Sequence, residues 1–301
     1  MATEIEPTQK IGIIGLGRMG TAMAKKVLKS GFKVTVFNRS ESKATPLVEL
    51  GATKAKTPKE VALNSDIVVT SLRDNNAVLE VISGKDGILA GFQPNKVHIG
   101  TSTISPSLSN QLAEMHEKHS SLYLAAPVLG NPIAAQEAKL TTFVAGDLAS
   151  IRKCEILFKS YSQKIINVGT EHAKANRLKL ATNYVLVILL ELIGQVYALA
   201  EKGGLDLQLM NELIDIIFGY PGLKQYSERI RNLDFDNVGF DLSAAFKDLL
   251  LILETSTETR SPLPFASTVN EKYIAALANN LGKKDWIATY KITRMLAGLQ
   301  S

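Results

Sequence analysis

The sequence predicts an α/β N-terminal domain on a doubly wound, mostly parallel sheet, followed by an all-α C-terminal domain, the two joined by one long helix. Three observations predict it. A strand–glycine turn–helix–strand unit opens the chain at Ile11–Phe37. Short apolar runs then alternate with helical patterns as far as about residue 168, the signature of a parallel sheet. Beyond Gly169 strand signals disappear, and a helix-period run extends from about Glu171 to Lys202. The boundary is therefore drawn between 168 and 169, giving domains 1–168 and 169–301.

Ile11-Gly12-Ile13-Ile14 is a short apolar strand ending in Gly15-Leu16-Gly17-Arg18-Met19-Gly20, a Gly-x-Gly-x-x-Gly turn. Thr21–Lys29 reads as a helix stopped by Gly31, and Lys33–Phe37 as the next strand. In that setting the glycines have separate tasks. Gly15 permits the tight turn, Gly17 lets a pyrophosphate approach the backbone, and Gly20 lets the helix pack close to the strand. The N–H groups at the helix start then face phosphate charge. This is the Rossmann unit of a dinucleotide-binding protein.

The second strand ends in Phe37-Asn38-Arg39-Ser40, with Lys43 close by. NAD-binding units place an acid here for the ribose 2′-hydroxyl. An acid is missing and a guanidinium is present, which fits the 2′-phosphate of NADP rather than NAD.

Alternation continues. Leu47–Gly51 ends a helix. Thr57-Pro58-Lys59-Glu60 starts another, with Thr57 as cap and Pro58 in the first turn. Asp66–Leu72 is a buried strand and Asn76–Ile82 a helix. Lys96–Gly100 is a strand running into Thr101-Ser102-Thr103-Ile104-Ser105-Pro106, Ser107–His119 a helix, and Leu122–Val128 a further strand segment. Ligands of such sheets lie outside the carboxyl ends of the strands. Leu72-Arg73, Thr101–Thr103 and Pro127–Asn131 occupy such ends. Ser102 and the Gly130 backbone are the groups aimed at a substrate, with a turn or cap hydroxyl as the plain alternative for Ser102. His116 and His119 form an i,i+3 pair on a solvated helix face, and the four histidines share no metal spacing.

In the long helix, Leu178, Val185, Leu189, Leu192, Val196 and Leu199 recur at helical spacing. Roughly 30 residues span about 45 Å, enough to tie two lobes together. Tyr184–Leu190 is apolar nearly all round and should be covered on more than one side. Against it stands a narrow polar stripe, Asn176, Lys179 and Asn183. An inward lysine is expensive unless something anionic meets it; otherwise it snorkels to water. Further helices are expected at Leu207–Phe218, Lys224–Asn232, Leu242–Thr255, Ser267–Leu281 and Trp286–Ala297, with Gly219–Gly222 a turn. The apolar faces look too extensive for one copy, which favours a homodimer through the helical domain.

At 301 residues the chain carries net charge +5, with Lys and Arg dispersed rather than in runs. That balance suits an anionic small molecule and argues against nucleic acid. The single Cys154 points to a reducing, cytoplasmic setting. Met1–Lys10 has no apolar signal region, and Glu191 and Gln195 interrupt the run Tyr184–Ala200, so no membrane partner is expected.

Four segments together resemble the β-hydroxyacid dehydrogenase family, which includes 3-hydroxyisobutyrate dehydrogenase and the glyoxylate and succinic semialdehyde reductases. Ile11–Ala24 is similar to its cofactor signature. Ser102-Thr103-Ile104 resembles its Ser-Thr-Ile segment, Lys179-Leu180-Ala181-Thr182-Asn183 its Lys-x-x-x-Asn pattern, and Lys247-Asp248-Leu249 its Lys-Asp-Leu segment. The resemblance implies Lys179 as proton donor and acceptor, Asn183 holding it and the substrate, and Lys247 approaching the cofactor. The remaining cofactor contacts are expected from Gly15, Leu16, Gly17, Arg18, Met19, Gly20, Asn38, Arg39, Ser40, Lys43, Leu72, Arg73 and Thr101. The substrate is expected to be a small carbonyl compound or hydroxy acid.

One place departs from the family. Where it has Asp-Ala-Pro-Val-Ser-Gly-Gly, whose turn grips a substrate carboxylate, this chain has Ala125-Ala126-Pro127-Val128-Leu129-Gly130-Asn131-Pro132. Leu129 supplies no hydroxyl and adds bulk, so a bulkier or less charged carbonyl is equally open. Imine reductases look similar in fold but typically carry Asp or Tyr at the Lys179 position. A non-catalytic NADP-binding module is the remaining alternative.

Overall fold

The computed structural model describes residues 9–202, 204–219, 221–259 and 263–299; the side chains at 195, 196, 198, 199, 202, 217, 218, 221, 222 and 259, the polar N-terminus to Thr8, and Tyr220 lie outside the described set. The chain divides into two compact units, Met1–Lys179 and Leu180–Ser301.

The first unit runs β1 (Lys10–Ile14), α1 (Arg18–Lys29), β2 (Lys33–Phe37), α2 (Thr45–Val48), β3 (Thr53–Lys54), α3 (Pro58–Leu63), β4 (Ile67–Thr70), α4 (Asn75–Ser83), β5 (Val97–Gly100), α5 (Pro106–Lys118) and β6 (Leu122–Ala125). There follow β7 (Val128–Leu129), α6 (Pro132–Gln136), β8 (Leu140–Val144), α7 (Leu148–Lys153), α8 (Glu155–Tyr161), β9 (Ser162–Asn167) and the start of α9 (His172–Lys202). Strands β1 to β6 form one parallel sheet in the order β3-β2-β1-β4-β5-β6. The order reverses between β1 and β4, which defines the switch point of a doubly wound sheet. Period-2 alternation distributes the side chains. Ile11, Ile13, Ile67, Val69, Val97 and Ile99 enter one core, and Ile14, Val68, Tyr123 and Ala125 the other. Both faces are covered by helices, which is why the central strands read as unbroken apolar runs.

The segment expected as one strand over Leu122–Val128 is two. Pro127 lacks an N–H for the ladder. The chain leaves the main sheet after Ala125, and β7 pairs antiparallel with β8 in a second sheet, β7-β8-β9. Helix starts follow the local chemistry. Thr57 Oγ1 accepts from Glu60 N–H at 3.1 Å, Asp74 Oδ1 from Ala77 N–H at 2.9 Å, and Ser105 Oγ from Leu108 N–H at 3.3 Å.

His116 does not lie on a solvated face; it is fully buried, as is His98 on β5, while His119 is exposed. Ser121 Oγ donates to the His116 carbonyl at 3.1 Å, so at His116 Nδ1, 2.9 Å away, it accepts. His116 Nε2 is then the acceptor for His98 Nδ1–H at 2.9 Å, and His98 Nε2 accepts from Thr70 Oγ1–H at 2.9 Å. One consistent set of neutral tautomers satisfies the whole chain. A further proton on His116 would set two N–H groups against each other.

The second unit holds the rest of α9, then α10 (Leu207–Phe218), α11 (Pro221–Arg231), α12 (Leu242–Thr259), α13 (Pro264–Ala278), a 3₁₀ turn Trp286–Ala288 and α14 (Thr289–Leu296). Helix α11 starts at Pro221 rather than Lys224. Pro at the first position loses no hydrogen bond there, so Pro221 and Gly222, expected in a turn, belong to that helix, while the left-handed Gly219 caps α10. Ile193, Tyr197, Ile230, Tyr273, Trp286 and Tyr290 form its core. Partly buried ion pairs Glu191–Lys272, Glu201–Arg294 and Arg229–Asp285 tie its elements together. Among the described residues no helix is long and apolar enough to cross a membrane.

Burial holds His116 down at about 3 and His98 well below the ordinary histidine value. Between about pH 6.5 and those values the unfolded chain binds protons that the folded one does not. Stability is therefore full above about pH 6.5 and falls on acidification, by about 1.4 kcal/mol per pH unit for each imidazole. Stability from denaturant unfolding at pH 7, 6 and 5 should fall, less between pH 7 and 6 than between pH 6 and 5, where the slope approaches that value; a flat profile would rule out two neutral, buried imidazoles.

Candidate active site

The glycine turn is built by contact, not by composition alone. Gly15 has φ +92°, and a Cβ there would lie 2.2 Å from the Ser71 carbonyl oxygen. A Cβ on Gly20 would lie 1.9 Å from the Gly15 carbonyl oxygen, so helix α1 can approach the end of β1 only with glycine at that position. Gly17 is different: a Cβ there meets nothing within 4 Å. It faces open space at the N-terminus of α1 and offers no side-chain cap to that helix. The first N–H groups of a twelve-residue helix therefore face the space above Gly17. A pyrophosphate fits this cradle by both shape and charge. Leu16 is buried and Met19 packs on the core, so they contribute backbone; Arg18 is exposed.

At the end of β2, Asn38 is engaged within the loop. Its Oδ1 accepts from Leu16 N–H at 2.9 Å and its Nδ2 donates to the Ser40 carbonyl at 3.1 Å. Asn38 thus shapes the cradle by tying the glycine turn to β2. Arg39, Ser40 and Lys43 are exposed just beyond it. The nearest acid in sequence, Glu41, is paired with Lys54 at 2.5 Å, which lowers its proton affinity and neutralises its charge. The residues present therefore fit a 2′-phosphate as well as a ribose hydroxyl.

The carboxyl ends of β4 and β5 are laced together. Thr101 Oγ1 donates to the Thr70 carbonyl at 2.7 Å, and Ser102 Oγ accepts from Leu72 N–H at 2.8 Å. Asn75 and Ser105 form a reciprocal pair: Ser105 N–H donates to Asn75 Oδ1 at 3.2 Å, and Asn75 Nδ2 to Ser105 Oγ at 3.0 Å. Ser102 is thus a turn residue whose oxygen accepts a backbone N–H. Ser105, not Ser102, caps α5. Arg73 is exposed beside this lacing.

Gly130 has φ +132°, and a Cβ there would come within 2.6 Å of Leu140 Cδ2. Leu129 is half-buried on β7 and packs against the core that contains Tyr123 and Phe143. Asn131 is no substitute for a flexible glycine: its Oδ1 accepts from Ala134 N–H at 2.9 Å and caps α6, with Pro132 in the first turn.

All three residues of the polar stripe on α9 are buried: Asn176 at 1 %, Lys179 at 8 % and Asn183 at 7 % exposure. Lys179 therefore does not snorkel to bulk water. Asn176 belongs to the first unit, where its Oδ1 accepts from Ile104 N–H at 3.3 Å and fastens the segment after β5 to α9. In the second unit Asn183 Nδ2 donates to Asp248 Oδ2 at 2.6 Å, and Lys247 Nζ lies 2.5 Å from Asp248 Oδ1. Sequence reasoning missed Asn75, Ser105 and the structural part of Asn176. The signal available for Asn176 was its place on the stripe; the Asn75–Ser105 pair, thirty residues apart, left none.

Residues 10–169 match the family model described as the NAD binding domain of 6-phosphogluconate dehydrogenase. Residues 173–293 match that described as NAD-binding of NADP-dependent 3-hydroxyisobutyrate dehydrogenase. An uncharacterised oxidoreductase, YfjR, of Bacillus subtilis is 37 % identical over 94 % of this chain and 99 % of its own. A 2-(hydroxymethyl)glutarate dehydrogenase of Eubacterium barkeri is 30 % identical over 98 % of each chain. The 3-hydroxyisobutyrate dehydrogenase of Mycobacterium tuberculosis superposes with a TM-score of 0.84 at 26 % identity, covering 96 % of this chain and 100 % of that one. With a glycine cradle that admits a pyrophosphate and matches along nearly its whole length, the chain belongs to the β-hydroxyacid dehydrogenase family, as an oxidoreductase that binds a nicotinamide cofactor.

Proposed function

We propose that the protein is an NADP(H)-dependent reductase or dehydrogenase acting on a small carbonyl or hydroxy acid substrate, with Lys179 as proton donor and acceptor. The observation that carries it is a buried lysine on α9, one turn from Asn176, whose amide joins that helix to the sheet end that bears Ser102. When bound, the cofactor supplies a hydride to the carbonyl carbon. Charge then develops on the carbonyl oxygen, and Lys179 Nζ stabilises it and delivers the proton that completes the alcohol. In the reverse direction the neutral amine takes that proton back. Ser102 Oγ–H and the Gly130 N–H contact substrate oxygens. Asn183, one turn along α9, is the positioning partner: its Nδ2 donates to Asp248, so its amide oxygen is the atom that would accept from an ammonium. Lys247 carries over from the family as a further cofactor contact.

Preference for NADP is supported by the exposed Arg39 and Lys43 after β2 and by the charge-neutralised Glu41. With Leu129 in place of the family's serine and Asn131 committed to a cap, a bulkier or less charged carbonyl than a short hydroxy acid remains open as substrate. A reducing, cytoplasmic setting suits the single cysteine, Cys154, which is buried. A homodimer is supported by the exposed row Leu209, Leu213 and Ile216 on α10, spaced to share one face.

Three measurements test this reading. NADPH should bind at least about tenfold more tightly than NADH, the scale of one charge-assisted phosphate contact, and Arg39→Ala should narrow the gap; equal affinities in the wild type would remove the assignment. Lys179→Ala should lose most turnover, about 100-fold or more, with NADPH affinity kept; near wild-type rates on any accepted aldehyde would refute its role. Leu213→Glu with Ile216→Glu should halve the sedimenting mass, and an unchanged mass would place any dimer contact elsewhere.

A further inference from the structure

Asn176 is 1 % exposed, and its amide is used on one side only. Its oxygen accepts from Ile104 N–H at 3.3 Å, which fixes the orientation of the group, because the reversed amide would set N–H against N–H. Its nitrogen, with two N–H donors, is buried and hydrogen-bonds to nothing among the described residues. An apolar residue of similar size would strand only the Ile104 N–H, whereas the amide also buries two N–H donors of its own, which leaves them for an acceptor that arrives from outside the chain.

The topology says which part of a ligand that would be. A dinucleotide lies across the point where strand order reverses, one mononucleotide half over each side of the sheet. Asn38 and Arg39 follow β2, on the side of β1, β2 and β3. Ile104 follows β5, on the side of β4, β5 and β6, and so belongs to the nicotinamide half. Asn176 hangs on that segment. The segment is held there by Thr101 on Thr70, Ser102 under Leu72 N–H and the Asn75–Ser105 pair, so the amide has a fixed base.

We propose that Asn176 is a cofactor-contacting residue for the nicotinamide end: its Nδ2 donates to the carboxamide oxygen, while its Oδ1 holds the Ile104 segment in place. This rests on the chain binding a nicotinamide cofactor. It is independent of the role given to Lys179 and of the choice between NADP and NAD.

The test reads binding rather than turnover. Wild type, Asn176→Asp and Asn176→Leu are titrated with NADPH and NADH, with the thionicotinamide analogue of each, and with two fragments lacking nicotinamide, ADP-ribose and its 2′-phosphate. Asn176→Asp keeps an acceptor for Ile104 N–H and loses the donors; Asn176→Leu loses both, and carries the test should the aspartate variant not fold. Both variants should weaken the preferred reduced dinucleotide by about tenfold and leave the matching fragment within about twofold, the ratio expected for one hydrogen bond made at one end of the ligand. Sulfur accepts hydrogen bonds poorly, so wild type should discriminate against the thio analogue more than the variants do. Unchanged dinucleotide affinity would overturn the proposal. So would an equal loss for the nicotinamide-free fragment, which would make Asn176 scaffold alone, or undiminished discrimination against the thio analogue, which would assign the donor to another oxygen such as the substrate's. A wild type that prefers NADH, or that turns over no carbonyl compound, would affect the proposed function and leave this test intact.

Discussion

Helix α1 must lie against the end of β1 closely enough for its first N–H groups to share one small space. That approach is a steric fact about two atoms: a Cβ on Gly20 would be 1.9 Å from the Gly15 carbonyl. Much of the cofactor-binding half follows from it. With α1 in place, Gly17 is left open and uncapped, Leu16 N–H reaches Asn38, and the turn is locked to β2. The cradle is therefore a rigid consequence of packing, in line with the preorganisation that anion binding at a helix terminus requires.

A second theme is the use of isolated polar groups in apolar surroundings. Along α9 the polar side chains Asn176, Lys179, Asn183 and Glu191 are buried, and bonds from three of them join α9 to other elements: Asn176 to the segment after β5, Asn183 to Asp248 on α12, Glu191 to Lys272 on α13. Beside the sheet, Thr70, His98, His116 and Ser121 form a one-way chain of hydrogen bonds in which every ring nitrogen has a role. Both arrangements join polar groups on different elements, and both fix a register between those elements. Neither would survive replacement of one member without stranding another.

Several sequence expectations changed meaning rather than position. Asn38 follows β2 as expected, yet both its polar atoms serve the loop, leaving Arg39 and Lys43 as the charges that face outward. Ser102 is at a strand end, but accepts a backbone N–H from Leu72. Asn131 looked like a departure in a carboxylate-binding turn and proves to be a helix cap. The i,i+3 spacing of His116 and His119 reads as a solvated face rather than a ligand set, but a helix face is not solvated merely because two histidines share it, and Phe92, His98 and Tyr123 surround His116. In each case residue type was legible, whereas the choice among its possible partners depended on elements far along the chain.

What the sequence by itself determined is the repeating local grammar: the strand–glycine–helix unit, the alternation up to residue 168, the caps at Thr57 and Pro58, and the apolar helix with its polar stripe. Those features depend on contacts within a few residues, where backbone geometry dictates periodicity. The tertiary structure alone decided that Pro127 splits one apolar run between two sheets, that the compact units divide at Lys179/Leu180 inside α9, and that Asn75 meets Ser105 and Asn176 meets Ile104. The last two pairings join positions 30 and 72 residues apart. A hydrogen bond across that separation has no period in the chain and exists only once packing has removed water from both partners.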